Sequence, residues 1–70
     1  METIYIKDEY IKLGQLLKLS GLVDSGLEAK IHIKDGKVKL NDEIVLERGK
    51  KVYPGDIVKF QDNEIEVKGK

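Results

Sequence analysis

Residues 25–41 contain the pattern that most constrains the fold: a helix, a glycine stop and a strand in direct succession. Ser25 and Glu28 have the spacing of a capping box, in which each side chain satisfies a free backbone amide at the start of a helix. Gly36 is placed to end this helix in the left-handed conformation that glycine adopts without a steric penalty. The pattern therefore predicts a helix over residues 25–34.

Alternating apolar residues predict strands after this helix and near both ends of the sequence. Val38 and Leu40 alternate with lysines, as expected for a strand with one exposed face. Asn41-Asp42-Glu43 predicts a turn, because Asn and Asp tolerate positive φ, and Pro54-Gly55-Asp56 predicts a β-turn. Further strands are expected over residues 3–7, 44–46, 57–60 and 64–67, with residues 68–70 frayed.

A first helix over residues 10–20 is predicted from apolar residues at helical spacing, with Asp8 or Glu9 as its cap. Ser20-Gly21 ends this helix. Two short helices joined by a short connector are expected to pack as a pair. The order of elements therefore predicts an α+β fold, in which two packed helices cover one face of a small, mostly antiparallel sheet of four or five strands.

The composition limits what the chain can do. With 70 residues there is room for one domain, over residues 1–70, and one small core. Cysteine is absent and histidine occurs once, which excludes disulfides, thiolate metal sites and a histidine metal cluster. No phosphate-cradling glycine loop or nucleophile–base pair occurs, so we expect neither an enzyme nor a bound cofactor or metal. The apolar runs are too short for a signal peptide or a membrane span, so a cytoplasmic monomer is expected.

The charges are balanced overall but unevenly placed. The formal net charge is zero, from 13 basic and 13 acidic residues. Between Lys12 and Lys51, nine basic residues stand against six acidic ones. The basic residues concentrate on the second helix and the strand after it, which can present a positive face to an anionic partner. The alternative is a solvated face that only keeps a small domain soluble.

Residues 11–56 resemble the RNA-binding domain named after ribosomal small-subunit protein S-four, also called the alpha-L motif. The resemblance rests on three segments, which are Lys12-Leu13 through Gly21-Leu22, Ser25 through Asn41, and Pro54-Gly55-Asp56. The sequence is most similar to the small stand-alone bacterial branch of that family. It departs from the family pattern at Lys12 (an arginine in the family), Gly14 (an aspartate), Gly26 (a basic residue) and His32 (an apolar residue).

The resemblance implies an RNA-binding module with a ribosome-associated or regulatory role. It would contact structured RNA, such as ribosomal RNA or tRNA, through a basic surface formed by the two helices and the following strand. Lysine side chains would contact phosphates there, which gives affinity without reading the bases. The expected RNA-binding residues are Lys12, Lys18, Ser25, Lys30, Lys34, Lys37, Asn41, Arg48, Lys50 and Lys51.

Other interpretations remain open for several of these features. Ser25 can serve only as a helix cap and Asn41 only as a turn residue. His32 is expected to be a packed helix residue with its polar atoms satisfied and not a catalyst, since no partner acid or nucleophile is evident. The three tyrosines and one phenylalanine lie outside the basic helix and strand in sequence, which disfavours base stacking on single-stranded RNA. The alternative function is a protein-interaction module that docks on an acidic partner surface.

Overall fold

The computed structural model describes residues 1–70 and contains two helices and seven strands. In chain order the elements are β1 (Glu2–Ile6), β2 (Ile11–Lys12), α1 (Leu13–Leu19), α2 (Gly26–Lys34), β3 (Val38–Leu40), β4 (Glu43–Ile44), β5 (Lys51–Val52), β6 (Ile57–Phe60) and β7 (Asn63–Gly69). Neither helix is long and apolar enough to cross a membrane.

Five strands form one sheet in the order β1-β7-β6-β3-β4, and only the β1–β7 pair is parallel. The inward residues of β3, β6 and β7 alternate with exposed or half-buried ones, so one sheet face supplies the core. Helix residues such as Leu16 and Ile33 complete that core, whose 14 buried side chains are all hydrophobic. The predicted α+β fold, two helices on a mostly antiparallel five-stranded sheet, is confirmed.

Helix α2 has the predicted limits. The Ser25 hydroxyl accepts a hydrogen bond of 3.1 Å from the Glu28 amide, so Ser25 is the cap. The Glu28 carboxylate accepts from the Asp24 amide at 3.3 Å, one residue before the position that a full capping box would use. At the other end Gly36 has φ +75°, which is the conformation that favours glycine. Local sequence signals therefore determine both ends of this helix.

Two predicted turns are also confirmed. Asn41 and Asp42 connect β3 to β4 with φ values of 50° and 71°, as a two-residue hairpin loop with both central residues left-handed requires. Gly55 has φ 97°, and the Asp56 amide donates to the Tyr53 carbonyl at 3.0 Å to close the turn around Pro54. The hairpin connections thus follow from residue types that accept positive φ.

The predicted start of the first helix is wrong. Residues 11 and 12 form β2, which pairs antiparallel with β5, and α1 begins only at Leu13. Neither Asp8 nor Glu9 caps it. The amides of Leu13 and Gly14 instead donate to backbone carbonyls of Lys50 and Arg48, both at 2.9 Å. Because a distant loop satisfies these amides, no side-chain cap is needed and no local sequence signal marks the start.

The predicted fraying of residues 68–70 is also wrong. Strand β7 continues to Gly69, and its residues 65–69 pair in parallel with all five residues of β1. The Lys70 amide donates to the Ile6 carbonyl at 3.0 Å. The pairing with β1 holds this end of β7 in place. The sequence does not predict this pairing, because the two parallel strands are separated by most of the chain.

Candidate nucleic-acid interface

The structure brings three predicted basic residues together around one surface cleft of about 350 Å³. None of the residues that line it is acidic or apolar. They are Lys12, Gly14, Gln15, Lys18, Gly26, Arg48 and Gly49. A cleft lined by three cations and three glycines offers positive charge together with open access to the backbone, which is a suitable arrangement for an anionic group such as phosphate.

Three separate segments supply the cations of this basic cleft. Lys12 is the last residue of β2, and Lys18 lies in the last turn of α1. Arg48 belongs to the loop before β5, and its carbonyl accepts the 2.9 Å hydrogen bond from Gly14. That bond fixes the loop against the start of α1, so Arg48 is held beside the two lysines by the backbone.

The two glycines that differ from the family pattern both line the basic cleft. A Cβ atom at Gly14 would lie 3.4 Å from the Cβ of Arg48, at the short end of ordinary van der Waals contact. The loop that carries Arg48 therefore packs directly against the start of α1. At Gly26, the first residue of α2, a Cβ atom would meet nothing within 4 Å. The absence of a side chain there leaves the cleft open along the start of α2.

Helix α2 extends the positive surface away from the cleft. Gly26, Lys30 and Lys34 are spaced four residues apart, so they follow one side of the helix. Both lysines are exposed. The neighbouring Leu27 and Ile31 are also exposed, at 67% and 51%. This side of α2 thus combines two cations with aliphatic surface.

The predicted basic residues are not compensated by carboxylates. The ion pairs of the structure join Lys59 to Asp42 at 2.9 Å and to Glu64 at 4.0 Å, and His32 to Glu28 at 3.9 Å. The hydrogen bond and charge of Asp42 raise the pKa of Lys59, and Lys59 in turn lowers the pKa of Asp42. Lys59 therefore belongs to a neutralised cluster on the sheet, whereas the cations of the cleft remain available.

Lys50 and Lys51 lie beyond Arg48 on the same loop and strand, and they line a different concave surface. Lys51 lies beside the ring of Tyr10, which in turn packs against Tyr53. Its ammonium group lies 4.9 Å from the centre of the Tyr10 ring, and that ring is 5.8 Å from the ring of Tyr53. The pairing of β2 with β5 brings these residues together. Each of these strands has only two residues, so the sequence shows no alternating pattern that would predict the pairing.

Three further predicted residues, Asn41, Lys37 and Ser25, also lie outside the cleft lining. The Asn41 amide group donates to Asp56 at 3.0 Å, and its carbonyl oxygen accepts from the Ile57 amide at 3.0 Å. Its side chain is thus engaged within the fold. Lys37 is exposed just before β3. Ser25 is next to the cleft in sequence, but its hydroxyl is the cap of α2.

His32 is packed against the sheet, as expected, but its polar atoms are not all satisfied, and Glu28 is an acidic neighbour at 3.9 Å that was not expected. Its ring centre lies 5.0 Å from that of Phe60, and its Nδ1 atom is buried without a hydrogen-bond partner. No group of three or more histidine, aspartate or glutamate side chains is arranged to hold a metal ion.

Comparison with known proteins agrees with this arrangement. Residues 4–68 match the family model described as the S4 domain. The chain is 43% identical over 58 residues to the probable ribosome maturation protein RlbA of Bacillus subtilis, covering 83% of this chain and 82% of that protein. It is 34% identical over 61 residues to the putative RNA-binding protein YbcJ of Escherichia coli, with 87% of each covered.

The structural comparison gives the same result. The solution structure of YbcJ, described as revealing an alpha-L motif involved in RNA-binding, matches with a TM-score of 0.75 and 33% identity. The match covers 97% of this chain and 87% of that one. The names of these relatives describe a ribosome maturation protein and an RNA-binding protein, which agrees with the expectation that this chain is not an enzyme.

Proposed function

Since the chain belongs to the S4 domain family, we propose that it binds structured RNA through the basic cleft and the lysine-bearing side of α2. The observation that carries this proposal is the convergence of Lys12, Lys18 and Arg48 on a cleft without a single acidic residue. Cations held on three different segments, with no carboxylate partner, are arranged for an external anion.

The contacts are mainly to phosphates. Each lysine or arginine that neutralises a phosphate releases condensed counterions, and this release drives binding without regard to sequence. Arg48 can form two parallel hydrogen bonds to one phosphate, while Lys12 and Lys18 act as point charges. Lys30 and Lys34 then follow the backbone away from the cleft along α2. Because these charges are carried by β2, the two helices and a loop that is hydrogen-bonded to α1, they favour an RNA whose phosphates are themselves held in a regular arrangement.

The names of the relatives suggest which RNA to test first. RlbA is described as a ribosome maturation protein, and YbcJ as an RNA-binding protein. We therefore take ribosomal RNA as the first candidate partner and tRNA as the second, bound in the cytoplasm by a monomer.

The test is a titration of the protein into a labelled RNA hairpin at several salt concentrations. The double variant Lys12→Gln/Lys18→Gln removes two cations from the cleft, and Lys68→Gln/Lys70→Gln is its matched control at the end of β7. The cleft variant is expected to bind weakly, with the slope of log K against log salt flatter by roughly 0.7 to 0.9 per lost contact. The control is expected to bind as the unaltered protein does.

Two results would contradict the proposal. One is an absence of binding to any hairpin by the unaltered protein at low salt. The other is displacement of the RNA by an acidic polypeptide at equal charge concentration, which would favour docking on an acidic partner protein.

A further inference from the structure

We propose that the outward face of the β2–β5 ribbon binds one unstacked nucleobase together with its phosphate. This inference deepens the proposed function and rests on it. Four side chains form the site, two aromatic and two cationic, and they are Tyr10, Lys12, Lys51 and Tyr53. The RNA that fits is a paired stem interrupted by an unpaired nucleotide.

The register of the ribbon places these four residues on one face. Ile11 pairs with Val52, and Lys12 pairs with Lys51. Val52 is buried and Ile11 packs against the core, so this pair points inward. Side chains of adjacent residues alternate between faces of a strand, so Lys12 and Lys51 point outward. Tyr10 and Tyr53 lie one position further along the ribbon, beyond the inward pair, and therefore also point outward. Their ring centres are 5.8 Å apart.

The aromatic half of this ribbon face is accessible. Tyr53 is 42% exposed, and Tyr10 is half-buried. An exposed aromatic ring offers a stacking surface for any base, because every base has a π-face. The ammonium group of Lys51, 4.9 Å from the Tyr10 ring centre, keeps a cation beside that surface.

The cationic half consists of two exposed lysines without a carboxylate partner. Lys12 and Lys51 are directly opposite each other, and like charges in that position destabilise a pair of strands. Neither lysine forms an ion pair with a carboxylate. A phosphate that reaches both ammonium groups would gain two charge-assisted contacts and offset this like-charge pairing.

The surroundings leave room for a base and connect it to the basic cleft. Tyr53 and Lys51 line an open concave surface of about 660 Å³ together with Lys50, aliphatic side chains such as Leu46, and the carboxylates of Glu43, Glu47 and Asp56. That volume falls in the range of small-molecule sites. On the other side, Lys12 also lines the basic cleft. A nucleotide bound on the ribbon would therefore belong to the same RNA strand whose backbone is held in the cleft.

A purely structural explanation exists for the tyrosine pair, since aromatic cross-strand pairs stabilise short ribbons. It does not account for the two opposed lysines beside it. It also predicts that loss of the Tyr53 ring affects folding and not the choice between RNAs. The experiment therefore compares RNAs with the same protein, so that a change in stability cannot imitate the effect.

The test uses one stem in three forms: fully paired, with a single bulged adenosine, and with an abasic residue at the bulge. The unaltered protein is expected to bind the bulged stem at least about fivefold more tightly than either other form. Tyr53→Leu is expected to bind all three alike, at the affinity of the paired stem. Tyr53→Phe keeps the ring and should keep the preference, and so should Tyr5→Leu, which alters an exposed tyrosine on β1.

Stacking is detected directly with 2-aminopurine in the bulge, whose fluorescence should fall on binding to the unaltered protein and to Tyr53→Phe only. Equal binding of the three RNAs by the unaltered protein would overturn this inference and leave the proposed function standing. Retention of the bulge preference by a folded Tyr53→Leu protein would also overturn it. Failure to bind any of the three stems would reject the proposed function itself.

Discussion

The backbone amide of Gly14 donates a 2.9 Å hydrogen bond to the carbonyl of Arg48, and a Cβ at Gly14 would lie 3.4 Å from the Cβ of Arg48. The hydrogen bond fixes the loop that carries Arg48 to the first turn of α1. It also means that position 14 lies at the wall of the basic cleft, where a change of side chain alters the charge that an RNA meets.

Gly14→Asp should therefore weaken RNA binding. The substitution introduces a carboxylate beside Lys12, Lys18 and Arg48 and neutralises part of their field. Gly14→Asn introduces nearly the same volume without charge and is the matched control. Titration of a hairpin RNA at low salt should show a loss of about tenfold for the aspartate variant relative to the asparagine variant, equivalent to about 1.4 kcal/mol. Equal affinities would show that the cleft does not contact phosphate.

Charge reversal on α2 should reduce RNA binding sharply. Lys30→Glu/Lys34→Glu places two negative charges on the side of the helix that extends the cleft. Lys68→Glu/Lys70→Glu changes the same number of charges near the end of β7 and should have a much smaller effect, because neither residue lines the cleft or lies on α2. The measurement is the dissociation constant for the hairpin at two salt concentrations, with circular dichroism as the folding control. Equal losses for both double variants would identify the lysines of α2 as a solvated face.

Asn41 should matter for stability more than for RNA. Its side chain makes two hydrogen bonds, to Asp56 and to the Ile57 amide, and its backbone has φ 50°. Asn41→Ala loses both bonds and adds strain, so the free energy of unfolding should fall by about 1–3 kcal/mol in urea titrations. Asn41→Gly relieves the strain alone and should recover part of the loss. If the alanine variant is stable but binds RNA poorly, Asn41 contacts the RNA instead.

Acid should weaken the pair formed by Asp42 and Lys59. The hydrogen bond and charge of Lys59 lower the pKa of Asp42 below its usual 3.8. The unfolded chain then binds more protons than the folded one between these two pKa values, so the stabilisation is present above pH 3.8 and is lost as the pH falls through the folded pKa. Urea titrations of the unaltered protein and Asp42→Asn should converge over that range. Glu43→Gln, which removes a neighbouring exposed carboxylate without an ion pair, should show no such convergence.

Local sequence signals were sufficient for α2 and its turns but not for the ribbon. Ser25, Gly36 and Asn41 act on backbone within a few residues of themselves, so residue type alone indicated the structure there. The ribbon joins Lys12 to Lys51 across most of the chain, and two-residue strands have too few positions to show alternation. The candidate site was likewise predicted only in part. The basic residues could be chosen from charge, but the meeting of Lys12 with Arg48 and of Tyr10 with Lys51 depends on that distant pairing.

The parallel contact between β1 and β7 has a consequence for how the chain folds as it is synthesised. Glu2 pairs with Ile65 and Ile6 with Gly69, so β1 leaves the ribosome well before its partner β7. Until then β1 must remain unpaired, and closing so long a loop slows the final step. Helices α1 and α2 and the hairpin through Asn41 involve nearer neighbours and can form beforehand. The five-stranded sheet can therefore be completed only after β7 has been synthesised.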